Sequence, residues 1–207
     1  LSDALLNALA DASPRVRFFA AQSLGKLGRN EAIQPLLKLL RTNADQDATV
    51  RHAAVHALVR IGDTDALLAA AKDSSASVRL GACLALRRLM HPGIAQFLDD
   101  PDPRIVLEAA RAINDLPIES ALPKLAAKVG QASSLSSIVP ASAQAVGGAG
   151  KKSDGKSVGT PDLLHEFTLR RALNANFRLG QAANALALAT FASRKDAPEV
   201  LRVEALE

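Results

Sequence analysis

The sequence predicts an all-α fold, a solenoid of about five to six stacked helix pairs, and three observations predict it. Composition is the first: Ala and Leu dominate, Trp and Tyr are absent and only six Phe occur among 207 residues, the usage of tightly packed helices rather than of a sheet. The second is an apolar stripe at helical spacing, clearest in Asp11 to Gly28, DASPRVRFFAAQSLGKLG. The third is that this stretch recurs, closely in some places and loosely in others, at periods near thirty.

The founding stretch reads as one helix. Ser13 is placed as an N-cap, and Pro14 suits the first helical position, where a missing N–H costs nothing. Val16, Ala20, Leu24 and Leu27 form the stripe, and Gly28 stands where helices stop. Such a stripe cannot bury itself, so Leu1 to Leu9 is expected to be its partner helix.

Aligned on Val16, the matching positions are Val50, Val78, Ile105, Thr168 and Leu201, at intervals of 34, 28, 27, 63 and 33 residues. The position four residues on is Ala in every unit: Ala20, Ala54, Ala82, Ala109, Ala172 and Ala205. Eight residues on come Leu24, Leu58, Leu86 and Ile113, a pattern that Asn176 breaks. Shorter amphipathic segments lie between, near Glu31–Arg41, Asp63–Lys72, Gly93–Leu98, Ile118–Lys128 and Gln181–Phe191. Small Ala lets paired helices approach while Leu fills the seam.

The repeats divide into residues 1–130 and 161–207, separated by a Ser/Gly/Ala-rich stretch at 131–160 that reads as a flexible insert. That insert accounts for the 63-residue interval. It also contains Gly150 to Ser157, GKKSDGKS, which satisfies the phosphate-loop string G-x-x-x-x-G-K-[ST]. Phosphate cradling needs a strand leading in and a helix leading out. Here the approach is too short and Gly-rich for a strand, and Val158-Gly159-Thr160-Pro161 would break the helix, so no nucleotide site is assigned.

With a net charge of +4 and one cysteine, the chain has no internal disulfide and only a mild basic excess, which implies no nucleic acid by itself. Cys83 sits among Leu80, Ala82 and Leu84 and reads as a small core residue. No apolar run reaches membrane-spanning length, and compartment is not specified. The only Met is Met90 and helix is under way at both ends, which reads as a piece of a longer protein whose other domains are expected partners. His52 and His56 share one helix face, but HAAVH lacks the Glu of the zinc-binding H-E-x-x-H and no third ligand is near, so no metal or other cofactor is assigned. No catalytic dyad appears, and the chain is read as non-enzymatic.

Two charged series follow the repeat. Asp11, Asp45, Asp73, Asp100 and Asp196 stand five residues before the marker, and Arg17, Arg51, Arg79 and Arg202 stand one after it. They are expected to form a structural ladder, each Arg near carboxylates and helix carbonyls of adjacent units, fixing register. On the face opposite the stripe, Lys26, Arg60, Arg88 and Arg178 recur in one column, with Asp115 interrupting it, and Arg15, Arg87, Arg104, Arg111 and Arg170 lie in neighbouring columns. A continuous basic stripe attracts an acidic protein segment or a phosphate backbone, and it reads equally as solvated helix charge. Phe18, Phe167 and Phe177 make no regular stacking platform for single-stranded nucleic acid.

The pattern D-x-S-P-x-V-R-x-x-A-A-x-x-L-G-x-L-G at Asp11–Gly28 resembles HEAT repeats, in particular the short HEAT-like variety associated with phycobilisome lyases. More loosely, the Ala-rich tail resembles repeats appended to large multidomain proteins of environmental bacteria that also carry haem domains, although C-x-x-C-H is absent here. The resemblance implies a right-handed superhelix with the second helix of each pair lining the concave surface. It also implies a scaffold that binds another protein, with nucleic-acid binding through the same groove or an accessory bilin lyase-like role as alternatives.

Overall fold

The computed structural model describes residues 2–131 and 160–207 and divides into two compact units, Leu1–Ala121 and Leu122–Glu207. Among the described residues every regular element is helical. The insert expected at 131–160, with its Gly150–Ser157 string, lies outside them except for its end residues, which close and open helices.

The first unit contains α1 (Ser2–Ala8), α2 (Pro14–Leu27), α3 (Ile33–Asn43), α4 (Ala48–Ile61), α5 (Thr64–Ala69), α6 (Ala76–Arg88) and α7 (Pro103–Asp115). Short 3-10 segments at Asn30–Ala32, Ala70–Lys72, Pro92–Asp99 and Glu119–Ala121 join or extend them. The helices built on the recurring marker pack in succession, α2 on α4, α4 on α6 and α6 on α7. Their partners form the other layer: α1 lies on α2, α3 on α4 and α6, α5 on α6, and residues 92–99 on α7.

Local sequence explains the starts and stops. Ser13 occupies the N-cap of α2, but its hydroxyl makes no capping bond; instead its N–H donates to Asp11 Oδ1 at 2.7 Å. The same bond, to a carboxylate two residues earlier, recurs from Ser75 to Asp73 and from Asp102 to Asp100, both at 2.8 Å. The aspartate of the repeat is therefore a turn-former, satisfying a backbone donor that the approaching helix leaves over. Before α4 the pattern shifts: Asp47 caps Thr49 and Val50 N–H directly, while Asp45 takes a left-handed backbone with φ 63°. Gly28 and Gly62 end α2 and α4 at φ 64° and 77°, a conformation that glycine adopts without a Cβ penalty.

The apolar stripe forms the seam. Ala20, Ala54, Ala82 and Ala109 are buried, as are Leu24, Leu58, Leu86 and Ile113. Val50, Val78 and Ile105 are buried too, but Val16 is 39% and Leu27 44% exposed. At 7 residues α1 is half the length of the 14-residue α2, and the first copy of the stripe is only half buried. The segment near Gly93–Leu98 is a 3-10 helix rather than α. At about 2.0 Å rise per residue against about 1.5 Å, this geometry spans a short 27-residue repeat with fewer residues, and it still buries Ile94, Phe97 and Leu98.

The second unit centres on α10 (Thr160–Leu179), which packs against α8 (Leu122–Ala126), α9 (Lys128–Gln131), α11 (Ala182–Ala192) and α12 (Glu199–Glu204). Here the stripe accepts polar residues by satisfying them. Thr168 Oγ1 donates to Leu164 O at 2.9 Å, one turn back. Asn176, the break in the pattern, is buried; its Nδ2 donates to Ala126 O and Ala172 O, both at 2.9 Å, and its Oδ1 accepts from Asn184 at 2.8 Å. A buried amide with those partners ties α10 to α8 and α11.

A candidate interaction surface on the repeat helices

The recurring arginines and aspartates do not all do one thing. Arg79 makes a fork on Asp100, Nε to Oδ2 at 2.8 Å and Nη2 to Oδ1 at 3.1 Å, linking α6 to the turn before α7. Its Nη1 also donates to Asp73 O and Ser74 O at 3.0 and 3.2 Å. The carboxylate raises the affinity of Arg79 for its proton through that side-chain bond, against the cost of burial. Arg51 pairs with Asp45 in its own turn, and Arg17 reaches the carbonyls of Asp11 and Ala12 at 2.8 and 3.0 Å. Asp73 instead receives Arg41 of α3 at 2.5 Å, a link that the repeat pattern did not mark. In the second unit Asp196 pairs with Arg194 at 2.5 Å, and Arg202 Nε is buried with no hydrogen-bond partner among the described residues.

The basic stripe is likewise divided. Glu108 of α7 accepts from Arg87 at 3.0 Å and from Arg111 at 2.6 Å. Arg104 turns back onto Asp102, with Nη2 to Oδ2 at 2.7 Å, and holds that carboxyl below the usual carboxylate range. In the second unit Arg170 meets Glu166 at 2.9 Å and Glu204 at 2.8 Å, and Arg178 is exposed on α10. Glu108 was the residue that sequence reasoning missed. Its spacing from Arg111 is a helical i, i+3 pair, but its bond to Arg87 depends on how α6 and α7 meet.

What remains is concentrated on α2, α4 and α6. Lys26, Arg60 and Arg88 are exposed and have no carboxylate in ion-pair contact among the described residues. Arg15 lies over the Phe19 ring, 5.9 Å from its centroid, and Phe19 in turn meets Phe18 edge-on at 5.2 Å. None of α2, α3, α4 and α6 contains an Asp or Glu, although together they carry Arg15, Arg17, Lys26, Lys38, Arg41, Arg51, Arg60, Arg79, Arg87 and Arg88. Asp11, Asp45, Asp47, Asp63 and Asp73 sit in the turns of this region, while Asp65 lies on α5 and Glu108 on α7.

His52 and His56 belong to this surface. Their rings stack at 6.2 Å with 13° between planes, and Arg88 of α6 reaches His52 Nδ1 at 3.4 Å. Burial first, and then Arg60, Arg88 and His52, push the His56 imidazole below its ordinary pKa. Nδ1 of His56 is buried with no hydrogen-bond partner among the described residues. Among the described residues, no group of three or more His, Cys, Asp or Glu is placed to hold a metal ion.

Each unit also carries a shallow, largely apolar groove among its described residues. One, of about 360 Å³, is bordered by Leu5, Ala8, Val16 and Phe19; the other, of about 600 Å³ in the second unit, by Val129, Leu186, Ala187 and Phe191. Neither brings a nucleophile beside a base. Cys83 is fully buried, and burial pushes its thiol far up from the ordinary range. No helix of the described residues is long and apolar enough to cross a membrane.

A family model of HEAT repeats matches residues 2–87 and, in a second register, 42–99. No curated protein matches the chain. Helices α1 to α6, with the buried Ala20, Ala54 and Ala82 of the seam, fall within that matched stretch, so residues 2–99 are similar to HEAT repeats.

Proposed function

We propose that the chain is a non-catalytic scaffold that docks an acidic segment of a partner protein along the exposed face of α2, α4 and α6. HEAT repeats are in general protein-interaction scaffolds, which supplies the class. One observation carries the chemistry: these helices hold no acidic residue, and Lys26, Arg60 and Arg88 have no carboxylate partner among the described residues, whereas Arg87, Arg104, Arg111 and Arg170 do. Cations already paired offer little to an incoming carboxylate. Unpaired ones steer an acidic segment and hold it in register.

The test is a fluorescence anisotropy titration of a Glu-rich peptide with the full chain and with the triple variant K26E/R60E/R88E. These side chains are exposed, so the variant is expected to keep its helical signal and melting transition while losing at least tenfold in affinity. Unchanged affinity would remove the reading. A duplex DNA titration run beside it separates the alternative: a log-log salt slope steeper than about −3 would turn the surface toward nucleic acid.

A further inference from the structure

Within that basic face, we infer that His52, His56, Arg60 and Arg88 form a site for one phosphoryl group carried on a protein segment. This inference rests on the docking reading above and names the group that is docked. His52, His56 and Arg60 stand at successive turns on one side of α4, and Arg88 joins them from α6 at 3.4 Å from His52. Two fixed guanidinium charges and two imidazoles converge with no compensating acid on α2, α3, α4 or α6. A single carboxylate would leave one guanidinium charge unanswered. A phosphomonoester brings a charge near −2 and three acceptor oxygens, which matches the donors that guanidinium forks and imidazole N–H groups present.

The surroundings of His56 make the site sensitive to protons. On its own helix it faces His52 and Arg60; from α6 it faces Arg88, while Arg87 is bound to Glu108. On α2 the equivalent positions are Gln22 and Lys26, and on α3 the charged residues are Lys38 and Arg41, the latter bound to Asp73. Without an anion, burial and these cations keep the ring neutral at pH 7. A bound dianion offsets Arg60 and Arg88, so the imidazole gains a proton and can donate to the ligand. Binding therefore takes up a proton, and affinity for a non-titrating dianion rises as pH falls through and below the ordinary histidine range.

The experiment has two arms on the full chain. In the first, a phosphoserine peptide flanked by Glu is compared with its unphosphorylated serine form. The phosphorylated peptide is expected to bind at least tenfold more tightly, and R60A/R88A to abolish that difference. In the second, inorganic sulfate, which does not titrate in this range, is followed through the imidazole NMR signals of His52 and His56. Saturable shifts are expected, with affinity several-fold higher at pH 5.5 than at pH 7.5, and with H56Q binding sulfate but with a smaller pH trend. Equal affinity for the two peptides would overturn the inference, as would imidazole signals that ignore tens of millimolar sulfate. Retention of Glu-rich peptide binding, lost in K26E/R60E/R88E, would leave the scaffold standing while this site fell. Stronger competition by duplex DNA than by the phosphopeptide would also overturn it, in favour of a nucleic-acid backbone.

Discussion

Asp11, Asp73 and Asp100 hold the same place in the repeat and accept the same backbone N–H, yet only Asp100 also receives a guanidinium fork. The difference lies in burial. The Asp100 side chain is 3% exposed and that of Arg79 12%, so the charge of either is costly to leave alone, while Asp11 is solvated. The substitution Asp100→Asn keeps an oxygen for the turn bond but removes the charge that answers Arg79. It is expected to destabilise the first unit by about 3 kcal/mol. Asp11→Asn, at the equivalent exposed place, should stay within about 0.5 kcal/mol. Urea midpoints with an unchanged m-value decide the matter, and equal costs would mean that the fork adds nothing beyond the turn. The aspartate itself was legible from the sequence because turn chemistry is local. Its ionic partner was not, because Arg51 finds a carboxylate in its own turn and Arg79 one in the next unit.

Helix existence was legible almost throughout, since Ala and Leu at helical spacing have few other ways to be buried. Even the weak fifth copy forms a helix, with Asn176 satisfied rather than excluded. Which side of a helix meets which neighbour was harder to read. The spacing of Gly25 leaves it outside the Val16, Ala20, Leu24 and Leu27 stripe, but it is buried in the seam with α4. A Cβ built there would lie 2.6 Å from Ala57 Cα, a backbone atom that cannot step aside. At Gly81 the obstacle is Leu40 Cδ1 at 2.4 Å, the far end of a side chain that can rotate. Alanine favours a helix over glycine by about 1 kcal/mol, so propensity alone predicts that both Gly→Ala changes stabilise. Packing reverses this at one of them. Gly25→Ala is expected to cost about 1–3 kcal/mol net by thermal or urea unfolding, and Gly81→Ala to fall near zero. Stabilisation by Gly25→Ala would show that α2 and α4 can separate without loss.

At the scale of the molecule, repeat arrays gain stability from neighbour contacts, so a local defect is expected to be felt locally. Cys83 offers a built-in reporter, because its thiol is buried in α6 and held protonated, and a reagent reaches it only through opening. When reclosing outpaces modification, the labelling rate tracks the population of the open form. Opening α6 must break its fork with Asp100 but need not break the seam between α2 and α4. Asp100→Asn should therefore accelerate labelling of Cys83 by roughly a hundredfold, the factor that about 3 kcal/mol implies. Gly25→Ala, although destabilising, should change it by less than about threefold if openings stay within neighbouring pairs. Thiol modification at pH 8 in the absence of denaturant distinguishes the two schemes. Acceleration by both variants in proportion to their urea-measured losses would mean that the first unit opens as one cooperative block, and that its resemblance to a stack of separable pairs ends at geometry.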